Sequence, residues 1–274
     1  MSLPSAVIPF MKASACGNDF LLIDASTLKD NLDYAALTRR MCDRHDGVGA
    51  DGIEWMYPHP SADIEIRLIN ADGSHAEISG NGTRCVAAYL CASQQKDRIA
   101  IQTGAGLKTC VLAGKNESEY EFEVAMGKAA VGAELPVKLA AGEVRGIPVS
   151  MGNPHYVLLV SEFADNWQVQ AADVQRSPQF PNGVNIEIVV VDGKHDVRAR
   201  FFERGVGETQ SSGTGSCASA IAAIATGRAE SPVRVHTPGG TQTVRQEANE
   251  VFLRGTARLV CRGEFFLNQA VSLR

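Results

Sequence analysis

The chain has 274 residues, of which 45% are hydrophobic and 21% charged, so its composition is that of a folded globular protein rather than a disordered or collagen-like one. Its formal net charge is -5 and it contains no run of like charges, which disfavours binding to nucleic acid or to a membrane surface. No stretch approaches the roughly 18 apolar residues of a membrane-spanning helix. The first residues lack the basic start of a signal peptide, so we expect a cytoplasmic protein with no nucleic-acid or membrane partner.

Strand-like runs outnumber helical ones along the chain. The predicted strands are residues 6–10, 20–24, 119–124, 156–160, 185–191 and 251–260. Residues 83–93 and 216–226 are apolar on nearly all sides, which predicts two helices that are buried rather than facing water. The seven cysteines form neither a CxxC pair nor an even disulfide framework, so the sequence predicts reduced thiols and no metal site.

An internal repeat relates the two halves of the chain. The strand-like run 63–70 aligns with 196–203 at an offset of 133 residues, and the same offset relates the Ser-Gly-X-Gly turns at 79–82 and 212–215. A Gly-Asn pair also recurs, at 17–18 and 152–153. The repeat predicts an α+β fold with two pseudo-symmetric lobes, each a strongly curved, mainly antiparallel sheet wrapped around a central buried helix. We place the lobes at residues 1–143 and 144–274, with a join near 143–148 and an active-site cleft between them.

The two glycine turns are candidate anion sites. A Gly-X-Gly turn that opens a helix presents backbone amides at the positive end of the helix dipole, which suits a carboxylate or a phosphate. One such turn alone is weak evidence, because tight turns of this kind are common. Two related turns that open towards one cleft would hold a single anion between them.

Two other glycine patterns resemble dinucleotide-binding turns without their context. Residues 47–52 satisfy GxGxxG, but the residues that follow are strand-like rather than the start of a helix. Residues 213–218 satisfy GxGxxA, but the residues before them are turn-like rather than a buried strand. We therefore expect no nucleotide cofactor.

Seven motifs in order along nearly the whole chain carry a resemblance to a known family. They are Gly17-Asn18-Asp19-Phe20, Asn70-Ala71-Asp72-Gly73-Ser74, Gly80-Asn81-Gly82-Thr83-Arg84-Cys85, Gly152-Asn153-Pro154-His155, Asn182-Gly183-Val184-Asn185, Glu203-Arg204-Gly205-Val206-Gly207-Glu208-Thr209 and Gly213-Thr214-Gly215. Together they resemble diaminopimelate epimerase, a cofactor-independent isomerase of lysine and peptidoglycan biosynthesis. The resemblance implies an enzyme that interconverts LL- and meso-diaminopimelate without cofactor or metal. It also implies a homodimer and agrees with the two-lobed fold predicted from the repeat.

The resemblance also implies which residues bind the substrate. The backbone of the two glycine turns would hold the α-carboxylate, at Gly80, Asn81, Gly213 and Thr214. The side chains that would hold the distal amino-acid end are Asn18, Asn70, Asn153, Asn185, Glu203 and Arg204. An arginine beside a glutamate suits a zwitterion. A further family contact, often a glutamine, falls at Gly52, where the side chain is missing.

The departure from the family lies at the two acid/base positions. The family uses a cysteine before each glycine turn, because a thiol at a helix N-terminus can supply both thiolate and thiol near neutral pH. This chain has Ser79 and Ser212 there. An alkyl hydroxyl needs a neighbouring base, so we expect a very poor epimerase. His155 and Glu203 match residues that flank the thiols in the family, with His155 in a supporting rather than a proton-transfer role.

Two explanations of the serines stay open. The first, which we favour, is a deliberate double substitution that traps ligand or avoids oxidation, and the second is a natural paralogue that binds without turnover. Cys85 and Cys217 do not replace the missing thiols, because they lie one to two turns down the predicted helices, where we expect them to be core residues.

Other functions also stay open. One alternative is a related cofactor-independent racemase of another amino acid, which a buried, unpartnered Arg204 would disfavour. Another is a non-catalytic amino-acid-binding protein. A purely structural role for the glycine turns gives no reason for four asparagines and a Glu-Arg pair at these spacings.

Overall fold

A computed structural model describes residues 7–28, 32–140 and 142–267 of the chain. The chain forms two compact units: residues up to Glu123 together with those from Thr256 onwards, and Val124–Gly255. The division differs from the one placed at residue 143, because two long strands, β8 (Glu119–Lys128) and β18 (Glu250–Phe266), each pass from one unit to the other. The predicted join at residues 143–148 lies inside strand β11 (Gly142–Ser150).

The first unit contains seven further strands, two α-helices and a short 3-10 helix at Ala25–Thr27. The strands are β1 (Val7–Ala15), β2 (Asn18–Asp24), β3 (Gly52–Tyr57), β4 (Ile64–Asn70), β5 (His75–Ala76), β6 (Arg98–Thr103) and β7 (Gly106–Asn116), and the helices are α1 (Tyr34–Cys42) and α2 (Gly80–Gln94). Strand β18 pairs with β1 and β8, β1 with β2, β3 with β4, and β6 with β7. Parallel pairing joins β2 to β3 and β4 to β6. With β7 beside β8, the described strands close into an eight-stranded barrel.

The second unit repeats this plan. Its strands are β9 (Ala130–Val131), β10 (Leu135–Leu139), β11 (Gly142–Ser150), β12 (Pro154–Val160), β13 (Asn185–Gly193), β14 (Asp196–Glu203), β15 (Gly207–Thr209), β16 (Val233–Thr237) and β17 (Gly240–Glu247), and its helices are α3 (Trp167–Gln175) and α4 (Gly213–Ala225). Strands β11 and β12 pair antiparallel, β12 and β13 parallel, β13 and β14 antiparallel, β14 and β16 parallel, and β16 and β17 antiparallel. The pairings match those of the first unit one for one, which confirms the repeat read from the sequence.

A buried helix fills the middle of each unit. Helix α2 buries its residues from Asn81 to Ala88, and α4 buries its residues from Gly215 to Ala223. Cys85 and Cys217 are fully buried on these helices, as predicted, and burial raises the pKa of the Cys85 thiol. Both helices begin at the predicted glycine turns.

An amphipathic helix covers the outside of each sheet. Helix α1 packs Leu37 and Met41 against Trp55 of β3, and the Trp55 indole donates to the Thr38 hydroxyl at 3.2 Å. Helix α3 packs its buried face in a cluster that includes Tyr156 and Ile186.

The seven cysteines are free thiols. No helix of the described residues is long and apolar enough to cross a membrane.

Candidate functional site

Ser79 is the N-cap of helix α2. Its backbone is extended, with φ of -118°, and its hydroxyl oxygen accepts a hydrogen bond from the Gly82 amide at 3.1 Å. The first hydrogen bond of the helix runs from the Thr83 amide to the Ser79 carbonyl. The amides of Gly80 and Asn81 therefore lie before the first helical hydrogen bond, where the helix dipole favours an anion.

Asn18 lies beside this turn and contacts it directly. The Asn81 side-chain amide donates to Asn18 Oδ1 at 2.7 Å, and Asn18 Nδ2 donates to Asp51 Oδ2 at 3.0 Å. The buried Arg84 guanidinium donates to Asn81 Oδ1. The structure thus brings the predicted residues Asn18, Ser79 and Asn81 together, and we refer to these three with Gly80 as the first half-site.

A network of charged side chains surrounds Asp51, the acceptor of the Asn18 amide. Arg44 bridges Asp19 and Asp51 at 2.7 and 2.8 Å, and Lys12 contacts Asp19 at 3.0 Å. Burial acts to raise the pKa of Asp19, but hydrogen bonds from Arg44 and Lys12 outweigh it and lower that pKa below its usual range. Asp51 accepts from Arg44 through Oδ1 and from Asn18 through Oδ2, which fixes the direction of the Asn18 amide.

Asn70 and Gly52 lie opposite each other on neighbouring strands. Asn70 ends β4, and its side chain donates to the Ser74 hydroxyl at 3.0 Å rather than to the first half-site. A methyl group at position 52 would approach the Ile69 carbonyl oxygen to 2.8 Å, so the backbone there leaves no room for a side chain. The close approach of the two strands therefore requires a glycine at position 52 of this chain.

A buried carboxyl group lies against the same helix turn. Glu54 of β3 is fully buried, and both of its carboxyl oxygens lack a hydrogen-bond partner among the described residues. Burial raises its pKa to about 8, so the group is mostly protonated at neutral pH. It contacts the position that a side chain at Gly82 would occupy, and only glycine fits there.

Ser212 is the N-cap of helix α4 and repeats the geometry of Ser79. Its φ is -142°, and its hydroxyl oxygen accepts from the Gly215 amide at 3.2 Å. The Ser216 amide makes the first helical hydrogen bond, to the Ser212 carbonyl. The amides of Gly213 and Thr214 thus lie where an anion is favoured, as in the first half-site.

A chain of three polar side chains borders this turn. Glu187 Oε1 lies 2.6 Å from His155 Nδ1, and His155 Nε2 lies 2.9 Å from Asn153 Oδ1. Asn153 Nδ2 is directed at the Thr214 hydroxyl, 3.4 Å away. His155 and Glu187 are buried, while Asn153 and Thr214 are partly exposed. The predicted residues Asn153, His155, Ser212, Gly213 and Thr214 form, with Asn185, a second half-site.

Asn185 and the Glu-Arg pair lie at the same sheet edge. Asn185 begins β13 beside His155 in β12, and Glu203 ends β14 beside it. Asn185 Oδ1 accepts from the Arg204 amide at 2.9 Å. The Arg204 guanidinium donates to the Asn182 carbonyl at 3.0 Å and packs over Gly183. Arg204 is exposed in this structure, where it follows the end of β14 in a turn.

Three residues at these half-sites were not identified from the sequence. Asp51 orients Asn18, Arg84 orients Asn81, and Glu187 pairs with His155. A signal existed for Glu187, because it is the only charged residue in the apolar run 186–191. The same signal, an acid inside an apolar strand, marks Glu54.

The family comparison matches both units. A family model described as diaminopimelate epimerase covers residues 10–131 and 147–260. A diaminopimelate epimerase of Pelotomaculum thermopropionicum is 37% identical over 93% of this chain and 98% of the relative, and one of Halothermothrix orenii is 32% identical over 96% and 99%.

Solved structures show the same fold at low sequence identity. A PhzF-family protein of Bacillus anthracis superposes with a TM-score of 0.69 at 17% identity, covering 96% of this chain and all of the other. A probable proline racemase of Agrobacterium radiobacter gives 0.70 at 16% identity, over 96% of this chain and 94% of that one. These neighbours establish the architecture alone, whereas the family model and the relatives cover the motifs of both half-sites. The chain therefore belongs to the diaminopimelate epimerase family.

Proposed function

We propose that this chain binds diaminopimelate through both half-sites acting on one molecule, and that Ser79 and Ser212 occupy the two acid/base positions. The observation that carries the proposal is that both serines are N-caps whose side-chain oxygen accepts an amide of the first helical turn. A thiol at such a position has its pKa lowered by the amides and the helix dipole, so that it can act as a base near neutral pH.

Epimerisation needs one group that removes the α-proton from one face and another that delivers a proton to the opposite face. The hydroxyls of Ser79 and Ser212 stay neutral in the same environment, because an alkyl hydroxyl ionises far less readily than a thiol. We therefore infer that the chain retains the substrate-binding groups and has little or no epimerase activity. The two half-sites would hold the α-carboxylate at the amides of Gly80, Asn81, Gly213 and Thr214.

The test is the double variant Ser79→Cys with Ser212→Cys. Exchange of the α-proton of meso-diaminopimelate with deuterated water, measured by NMR, should rise by several orders of magnitude over the unmodified chain. Each single variant serves as a control, because one thiol can exchange a proton on one face without completing epimerisation. A double variant that binds diaminopimelate but neither exchanges nor epimerises contradicts the assigned reaction and favours a non-catalytic binding protein.

Binding by both half-sites is tested separately from catalysis. Asn18→Ala in the first unit and Asn153→Ala in the second should each weaken binding of meso-diaminopimelate, measured by calorimetry, by about tenfold or more. An effect confined to one unit contradicts a shared ligand. Tighter binding of a mono-amino acid than of diaminopimelate would favour another amino-acid racemase.

The homodimer and the cytoplasmic location stay predictions of the sequence. Sedimentation velocity would test the homodimer.

A further inference from the structure

The proposed function assigns no role to Glu187, although this residue lies next to the second half-site. It lies on β13 two residues after Asn185, on the same face of the strand. Its side chain is 1% exposed and reaches a single polar group among the described residues, His155 Nδ1 at 2.6 Å. Its other oxygen, Oε2, has no hydrogen-bond partner there.

The hydrogen bonds of His155 determine which ring nitrogen carries a proton. Nε2 faces Asn153 Oδ1, which can only accept, so Nε2 must donate. Nδ1 then either accepts a proton from a neutral Glu187 carboxyl or donates one to the carboxylate. Burial raises the pKa of Glu187, and the adjacent His155 partly offsets this effect. In both arrangements the Glu187–His155 pair holds the same number of protons, and Nε2–H points at Asn153.

The proton on Nε2 and the orientation of the Asn153 amide depend on each other. Because Oδ1 accepts from His155, the Nδ2 group turns away from the histidine and towards Thr214 at the start of α4. If His155 carried its only ring proton on Nδ1, Nε2 would be an acceptor and would need a donor. The Asn153 amide would then turn so that its Nδ2 group faced Nε2. The amide would present its oxygen at the anion-binding turn, where an acceptor opposes a carboxylate.

We propose that Glu187 is a positioning residue that holds His155 in the Nε2–H form and thereby turns the Asn153 amide N–H group towards the carboxylate-binding turn of α4. This inference rests on the proposed function for its ligand. Its structural half, the tautomer of His155 and the orientation of Asn153, can be measured without any ligand.

The first unit supplies a matched control. Strand β3 carries Glu54 at the position equivalent to Glu187, again two residues after the start of the strand, and β2 carries Phe20 where β12 has His155. Glu54 contacts no histidine, and Asn18 is instead oriented by Asp51. A substitution at Glu54 therefore removes a buried carboxyl from an equivalent strand without touching an imidazole.

The first experiment measures the His155 ring by nitrogen-15 NMR in the unmodified chain and in Glu187→Leu, Glu187→Gln and Glu54→Gln. We expect a single Nε2–H form in the unmodified chain and in Glu54→Gln. Glu187→Gln should retain it, because a glutamine amide can donate to Nδ1. Glu187→Leu should give a mixture of tautomers and altered Asn153 amide signals. A single, unchanged Nε2–H form in Glu187→Leu overturns the proposal.

The second experiment measures binding of meso-diaminopimelate to the same variants by calorimetry. Glu187→Leu should weaken binding about tenfold, while Glu187→Gln and Glu54→Gln should stay within about threefold of the unmodified chain. Equal losses in Glu187→Leu and Glu187→Gln would mean that the carboxylate charge and not the tautomer matters, which contradicts the proposal. If no variant, including the unmodified chain, binds diaminopimelate, the proposed function fails, and the NMR result alone decides the role of Glu187.

Discussion

Glu54 in the first unit and Glu187 in the second occupy equivalent positions but differ in the hydrogen bonds of their carboxyl groups. Both lie two residues after the start of a strand that pairs parallel with its neighbour, and both are buried. Glu187 has a histidine partner, whereas Glu54 has none, because the neighbouring strand carries Phe20. The comparison shows that the repeated fold determines where each glutamate lies, whereas one neighbouring residue determines whether its carboxyl group has a hydrogen-bond partner.

The largest expected effect tests the unpartnered carboxyl. Burial raises the pKa of Glu54 to about 8 in the folded chain, well above the ordinary value of a glutamate, so the buried carboxyl group is mostly protonated at neutral pH. Its contribution to stability is complete below about pH 4.5 and is lost as the pH rises towards 8, because the unfolded chain releases the proton first. Replacing Glu54 with methionine should remove this loss.

Chemical denaturation of Glu54→Met and of the unmodified chain between pH 4 and pH 9 measures that difference. The free energy of unfolding of Glu54→Met, relative to that of the unmodified chain, should increase by up to about 1.4 kcal/mol per pH unit across this window. The total increase should be a few kcal/mol. The gain should stop above about pH 8. Parallel curves for the two proteins would show that Glu54 is partnered or hydrated in solution.

An intermediate effect is expected at the glycine of each helix turn. A methyl group at Gly82 would overlap the buried Glu54 carboxyl, while one at Gly215 would meet Phe201 Cδ1 at 2.9 Å. Gly82→Ala should cost about 3 kcal/mol of unfolding free energy and Gly215→Ala about 1 to 2 kcal/mol. Combining Gly82→Ala with Glu54→Ala should recover part of the first loss, and strict additivity of the two changes would contradict the contact.

The smallest expected effect compares the outer helices. Helix α1 has an N-cap, since Asp33 Oδ1 accepts from the Ala36 amide at 2.9 Å, whereas Asn166 before α3 makes no side-chain cap hydrogen bond. Asp33→Ala should lower the free energy of unfolding by about 1 kcal/mol. Asn166→Ala should change it by less than about 0.5 kcal/mol, and equal losses would show that Asn166 caps α3 in solution. Thermal denaturation at neutral pH is sufficient to rank them.

Much of the architecture could be predicted because duplication leaves a signal that does not depend on local propensity. The repeated turns at Ser79 and Ser212 identified both central helices and both predicted catalytic positions. Adjacent residues such as Asn18 and Asn153 were placed at the half-sites by family motifs, and the structure brings each of them to its helix turn.

Other features could not be predicted because they depend on contacts distant in sequence. The division into units at Glu123 and Gly255 could not be predicted, since nothing local in the sequence shows that a strand runs through two units. The need for glycine at position 82 arises from Glu54, 28 residues earlier, and the space at Gly52 is taken by the carbonyl of Ile69 on the next strand.

The pairing of β18 with β1 has a consequence for biosynthesis. Residues 258–266 supply a neighbour of β1, so the first unit is assembled from segments that lie far apart in the sequence. A ribosome must translate β18 before that barrel can close, and until then β1 exposes an unpaired edge to other chains. A gene cut after the first repeat would consequently yield a fragment prone to aggregation, even though the repeat itself looks self-contained.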